Sequence, residues 1–191
     1  MNEQLSIEDQ LYLNVGKCLT AWNRVEEQIL YLVEYAHSDD KGRSNGSVMK
    51  GYWAVVSFEA RLKWCDAVVG FSLRFDPHAE LAARWNSLNN KLIKKAKQRN
   101  EIAHGSVVTL REAWETDDEI RFVPYYHRKR VEHLIRPLSE HLSKPAFFKN
   151  VATLSVEELK ARSERFNRVR REIADFHKDW IEKDNATGVR G

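Results

Sequence analysis

Cysteine, proline and long apolar runs are what this chain has least of, and each scarcity removes a class of protein. Cys18 and Cys65 are the two cysteines among 191 residues. Both fall inside helical patterns, Cys18 on the apolar side of its own. They read as buried thiols in a reducing compartment, not as a disulfide or a metal site. No apolar stretch is long enough to cross a bilayer, and Met1-Asn2-Glu3-Gln4 lacks the basic and apolar regions of a signal peptide, so a cytoplasmic chain without membrane contact is expected. His37, His78, His133, His141 and His177 show no metal-ligand spacing beside Asp, Glu or Cys, and His177, on an apolar stripe, reads as a satisfied core residue. There is no P-loop, no dinucleotide fingerprint and no Ser/His/Asp spelling, so neither a metal nor a cofactor is expected. The net charge of +3 is too small to argue for nucleic acid by itself.

What is there is helix. At 42% hydrophobic and 31% charged, the chain can bury a sizeable core, anchored by six Trp, six Tyr and eight Phe. Ser6-Ile7-Glu8-Asp9 opens a first helix of about 30 residues with an acid three places after a serine. Its buried face carries Ile7, Leu11, Cys18, Trp22, Val25, Ile29, Leu32 and Ala36. A polar loop over His37–Ser47 precedes a second helix within roughly Val48 to Leu73, carrying Trp53, Val56, Phe58, Leu62, Trp64 and Val68. Asp76-Pro77 signals the start of a third helix running to His104, where Gly105 stops it. Val107–Leu110 and Ile120–Val123, around the acidic turn Glu115–Glu119, predict a β-hairpin. Ser155-Val156-Glu157-Glu158 is a capping box that starts a last helix striped with Leu159, Phe166, Ile173, His177 and Trp180. The expected architecture is mainly α: one domain over residues 1–184, four helices, a hairpin insertion at about 106–126, an irregular stretch over 127–150 and a flexible tail over 185–191.

The most informative residues close the third helix: Arg99-Asn100-Glu101-Ile102-Ala103-His104, followed by Gly105. Leu81, Trp85, Leu88 and Leu92 form one apolar stripe, and Arg99 lies about five whole turns after Leu81, so it points into the centre of that stripe. A guanidinium cannot shed its charge, and burying it unpaired is costly. Something anionic, or a wet cleft, must therefore face it. Asn100 and His104, four apart, neighbour each other on one flank. Imidazole titrates near neutrality and suits proton transfer, while a fixed guanidinium fork matches phosphate oxygens. On the His104 ring the helix dipole favours charge and the basic residues Lys94, Lys95, Lys97 and Arg99 oppose it. About 140° of helix separates Arg99 from His104, which is awkward within one subunit. Two copies about a twofold axis let each histidine face the other's arginine. The other account of Arg99 is structural: a pair with a core acid, for which Glu26, one turn from Trp22, is the best placed.

Arg99-Asn100, three residues, then His104 resembles the motif of the HEPN superfamily, in which an arginine and a polar residue precede a histidine by a few positions late in a central helix. Trp22-Asn-Arg-Val-Glu26 is similar to a Trp/Glu pattern of several HEPN-like families. The resemblance implies an HEPN-like four-helix bundle of up-and-down type and metal-independent RNA cleavage at a homodimer interface, with Arg99, Asn100 and His104 catalytic and with Glu26 and Gly105 supporting them. It also implies a toxin–antitoxin or antiviral setting, with an antitoxin or a nucleotidyltransferase as possible partner protein. The alternative is a non-catalytic HEPN-like module that binds a protein or nucleotide, with Arg99 structural. Lys94, Lys95 and Lys97, and the run Arg128, Lys129, Arg130 beside Tyr125 and Tyr126, are candidates for tracking and stacking on RNA. Arg162, Arg165, Arg168, Arg170 and Arg171, interleaved with Glu157, Glu158, Glu164 and Glu172, read instead as a salt-bridged exposed surface.

Overall fold

The computed structural model describes residues 5–38, 46–74, 78–109, 120–124 and 153–188. Five helices and a two-stranded antiparallel hairpin make up the described residues: α1 (Ile7–His37), α2 (Gly46–Ala54), α3 (Phe58–Ser72), α4 (Ala79–Ala103), β1 (Ser106–Thr109), β2 (Ile120–Val123) and α5 (Val156–Thr187). None of these helices is long and apolar enough to cross a membrane.

The serine caps act as their positions imply. Ser155 and Glu158 form a reciprocal box, Glu158 N–H donating to Ser155 Oγ at 3.2 Å and Ser155 N–H to Glu158 Oε2 at 2.8 Å. At α1, Asp9 N–H donates to Ser6 Oγ, but the acid's side chain takes the serine hydroxyl at 2.6 Å. Ile7, the first residue of α1, is exposed, unlike the rest of the stripe assigned to it. The start signal Asp76-Pro77 lies outside the described residues, as do the acidic turn and residues 127–150.

The single second helix expected from the sequence is two. Val48 and Tyr52 are buried on α2, and Phe58, Leu62, Cys65 and Val69 on α3. Six residues separate Tyr52 from Phe58, about 240° out of phase on a continuous helix. One unbroken helix would spread the two sets over an arc of about 140°. The chain breaks at Val55-Val56-Ser57 instead. Ser57 is extended (φ −95°, ψ 140°) and its hydroxyl accepts from Ala60 N–H, while Val56 is left 96% exposed.

The chain divides into two compact units, Met1–Ala21 with Gln98–Arg165 and Trp22–Lys97 with Phe166–Gly191. The divisions fall inside α1, α4 and α5. In the second unit Trp22 meets Phe58 and Phe166 edge-on at 4.9 and 5.2 Å, and Tyr35 meets Trp180 at 5.2 Å. Glu26 meets Arg61, and His37 lies against Trp64. Residue numbers rise together in these pairs, so α1, α3 and α5 run in one sense there. Arg84 pairs with Asp179 and Lys91 with Glu172, so α4 runs against α5. This corrects the up-and-down alternation. The break after α2 adds a reversal, and α3 returns alongside α1 in the same direction.

The polar groups buried in this unit are mostly paired. The Glu26 carboxylate accepts from Trp22 Nε1 at 2.7 Å and pairs with Arg61 at 2.8 Å, with both side chains nearly enclosed. Asp184 accepts from the Tyr35 hydroxyl at 2.7 Å and lies 3.1 Å from His78 Nε2. Trp85 Nε1 donates to Asp66 at 2.8 Å. His177 is not the satisfied core residue expected. It is half-buried, edge-on to Tyr35 at 5.2 Å, and its Nε2 is buried without a hydrogen-bond partner among the described residues. Both cysteines are free and buried, as their patterns imply. Burial pushes the Cys18 thiol up to about 11 and the Cys65 thiol up to about 12, so both stay protonated at neutral pH.

Glu26→Gln keeps the shape of the side chain but leaves the Arg61 guanidinium buried without a counter-charge. Urea denaturation should show a loss of about 3–5 kcal/mol; a loss below about 0.5 kcal/mol would show that the pair contributes nothing. Desolvation holds the His177 ring below the ordinary histidine pKa. The unfolded chain therefore binds the proton first, and the neutral ring's contribution is complete above about pH 6.5 and lost on acidification. His177→Gln should flatten the fall in Tm between about pH 7 and pH 5, and an unchanged profile would assign that slope to other groups.

Candidate functional site

The motif closes α4 and leads straight into β1. His104 N–H donates to the Asn100 carbonyl and Gly105 N–H to the Ile102 carbonyl, each at 3.2 Å, so the helix tightens as it ends. Ile102 is buried, Arg99, Asn100 and Glu101 are half-buried, and His104 is exposed. The end of α4 thus combines an apolar anchor, a partly enclosed cation and an exposed histidine.

Arg99 Nη1 donates to Asn100 Oδ1 at 3.2 Å. Its Nε is buried and has no hydrogen-bond partner among the described residues. An orphaned donor on a fixed cation costs free energy that an anion or ordered water would recover. Glu26 does not supply it. The acid assigned to Arg99 has one oxygen on Trp22 and the other on Arg61. That assignment is therefore corrected: the Trp22–Glu26 spacing serves α3. Asn100, expected beside the His104 ring, has its side-chain oxygen on Arg99 and its carbonyl on the His104 backbone.

Gly105 is required for a different reason from the one its position implies. Among the described residues only Gly188 has a positive φ, 64°, so Gly105 is not a left-handed helix cap. The Phe122 ring lies where its side chain would be. A Cβ at Gly105 would meet Phe122 Cζ, would sit 2.5 Å from Cε1 and would lie 2.8 Å from the Val123 carbonyl. Phe122 is held there twice over. Its residue faces Val107 in the hairpin, and it exchanges backbone bonds of 3.1 and 2.8 Å with Leu154, one residue before the Ser155 cap. The hairpin itself lies one residue earlier on β1 than expected, with Ser106 opposite Val123 and Thr109 opposite Ile120.

Glu101, the acid inside the motif, pairs with Arg162 of α5 at 2.9 Å. In the same unit Cys18 Sγ donates to the Leu159 carbonyl at 3.1 Å, and Arg162 favours the thiolate slightly against the dominant effect of burial. The Glu101–Arg162 pair leaves no signal in the sequence, since the two residues lie far apart along the chain and only the packing of α5 brings them together. Lys94 and Lys97 are exposed and without an ion-pair partner among the described residues, and Lys95 is half-buried. Tyr125, Tyr126, Arg128, Lys129 and Arg130 lie outside the described residues.

The second unit holds a cleft of about 270 Å³ lined by Arg84, Ser87, Leu88 and Lys91 of α4 and Glu172, Asp175 and Phe176 of α5. The pairs Lys91–Glu172 and Arg84–Asp179 cross between the same two helices. Their signal in the sequence is the seven-residue spacing of Arg84 from Lys91 and of Glu172 from Asp179. No group of three His, Cys, Asp or Glu side chains able to hold a metal occurs among the described residues. The chain matches no known protein family, no curated protein and no solved structure.

Gly105→Ala should cost about 1–3 kcal/mol by forcing the Phe122 ring or the β2 backbone to shift. Phe122→Leu placed on that background should recover part of the loss in a thermal melt. Full stability in Gly105→Ala alone would mean that the ring moves freely.

Proposed function

We propose that this chain is an HEPN-type, metal-independent RNA endonuclease that acts as a homodimer. One observation carries the reading: Arg99 is half-enclosed at the end of α4, bonded to Asn100, with a buried Nε that has no hydrogen-bond partner among the described residues. The acid that would have made it a structural residue is occupied by Arg61. His104, exposed five residues further on, supports the same reading.

RNA carries its nucleophile, the 2′-hydroxyl. In the proposed reaction His104 of one subunit takes the 2′ proton and the 2′ oxygen attacks phosphorus. The bond to the 5′ oxygen breaks, and that oxygen receives a proton from His104 of the other subunit. The products are a 2′,3′-cyclic phosphate and a 5′-hydroxyl. Arg99 stabilises the charge that builds on the phosphorane oxygens, and Asn100 holds the guanidinium in place. Within this reading the protein is a toxin or phage-defence component, neutralised by an antitoxin or paired with a nucleotidyltransferase.

Incubating the purified protein with mixed RNAs and a chelator should yield 2′,3′-cyclic phosphate ends. His104→Ala should slow cleavage by about 10²–10⁴-fold, and Arg99→Ala should do so without lowering Tm sharply. A His104→Ala protein that cuts as fast as the original overturns the proposal. No cleavage of any RNA, together with a sharp fall in Tm for Arg99→Ala, favours a non-catalytic module in which Arg99 is structural.

A further inference from the structure

The arginines of α5 do not form the neutralised surface that their interleaved glutamates imply. Arg162 is taken by Glu101, Lys160 by Glu157 and Lys178 by Glu182. Arg168, Arg170 and Arg171 have no ion pair or hydrogen bond among the described residues. Arg168 and Arg171 are exposed and Arg170 is half-buried.

Helical spacing gives Arg168 and Arg171 acids within reach on their own helix, yet neither arginine pairs with one. Glu172 is four residues after Arg168, the position from which a carboxylate can reach back. Its carboxylate is instead bonded across to Lys91 of α4. Asp175 is four residues after Arg171, but it lines the cleft beside Phe176 and makes no ion pair. Glu164, four residues before Arg168, is exposed and unpaired as well. Arg170 has Asn167, Phe166, Ile173 and Ala174 at its three- and four-residue neighbours, so no acid on its own helix reaches it. The three arginines lie within about 4.5 Å of helix axis and an arc of about 160°. That places three cations on less than one turn, none of them ion-paired among the described residues.

We infer that Arg168, Arg170 and Arg171 form a surface that holds the phosphodiester backbone of single-stranded RNA. Three guanidiniums offer paired donors to successive phosphates and flat faces on which bases stack. Lysines in their place would supply charge without that geometry. The choice of RNA over another polyanion rests on the ribonuclease reading above. The surface itself rests on the ion pairing of α5 and does not depend on cleavage.

The test is fluorescence anisotropy of a labelled, unstructured single-stranded RNA with the full chain, in a His104→Ala background that prevents turnover. Combined Arg168→Gln, Arg170→Gln and Arg171→Gln should weaken binding at low salt at least tenfold. It should also reduce the slope of log Kd against log salt by about 2, three phosphates at about 0.7 each. Lys160→Gln with Lys178→Gln, which removes cations already paired, should change neither. If the triple variant does not fold, each single substitution should lower the slope by about 0.7. Absence of RNA binding, an unchanged slope, or equal displacement of the RNA by duplex DNA or anionic lipid vesicles would overturn the inference. RNA that is bound through these arginines but never cut would sink the nuclease reading alone. RNA that is cut with an unchanged salt slope would sink this inference alone.

Discussion

One enclosed carboxylate governs the second unit. Glu26 accepts from Trp22 one turn before it on α1, neutralises Arg61 on α3, and its backbone carbonyl takes the Tyr52 hydroxyl of α2 at 3.3 Å. Arg61 in turn lies over the Tyr52 and Trp53 rings at 5.3 and 5.1 Å. Three helices therefore meet through one acid and one base that cannot be separated without stranding a charge. The meeting requires the chain to come back along α1 after leaving it. That return is what the break at Val55-Val56-Ser57 provides, and with it the direction of α3.

The same pair changes the meaning of Arg99. A cation on an apolar stripe needs a partner, and the nearest acid in the pattern was Glu26. With Glu26 committed elsewhere, Arg99 has Asn100 on one nitrogen and a buried Nε with no partner among the described residues. The motif is nonetheless held firmly. Ile102 is buried, Glu101 is tied to Arg162, and Phe122 fills the space that Gly105 leaves open. Rigid support beneath a polar group with unmet bonding is the arrangement expected of a binding site, since ordering cost is borne by the fold and not by the ligand.

Local signals were legible where a residue's role is set by its neighbours in the chain. Ser155 with Glu158 gave the start of α5, and the stripe Leu81, Trp85, Leu88, Leu92 gave the buried face of α4. Val107 and Phe122 gave a hairpin in nearly the observed register. The second helix misled because Val48, Tyr52 and Leu62 fall within about 80° of one another on a single helix, so their spacing alone does not reveal two. Ser57 followed by Glu59 was the available sign of a new N-terminus. Gly105 was placed correctly as the end of α4, but for the wrong cause.

The sequence by itself determined α1, α4 and α5, the caps at Ser6 and Ser155, the hairpin and the Arg99–His104 segment, because these depend on contacts within about four residues along the chain. Tertiary structure alone decided the ion pairs: Glu26 with Arg61, Glu101 with Arg162, Lys91 with Glu172, and none for Arg168, Arg170 and Arg171. Charges act through space, and each carboxylate has several cations within reach of its spacing. Which one it takes is settled by the helix that packs beside it.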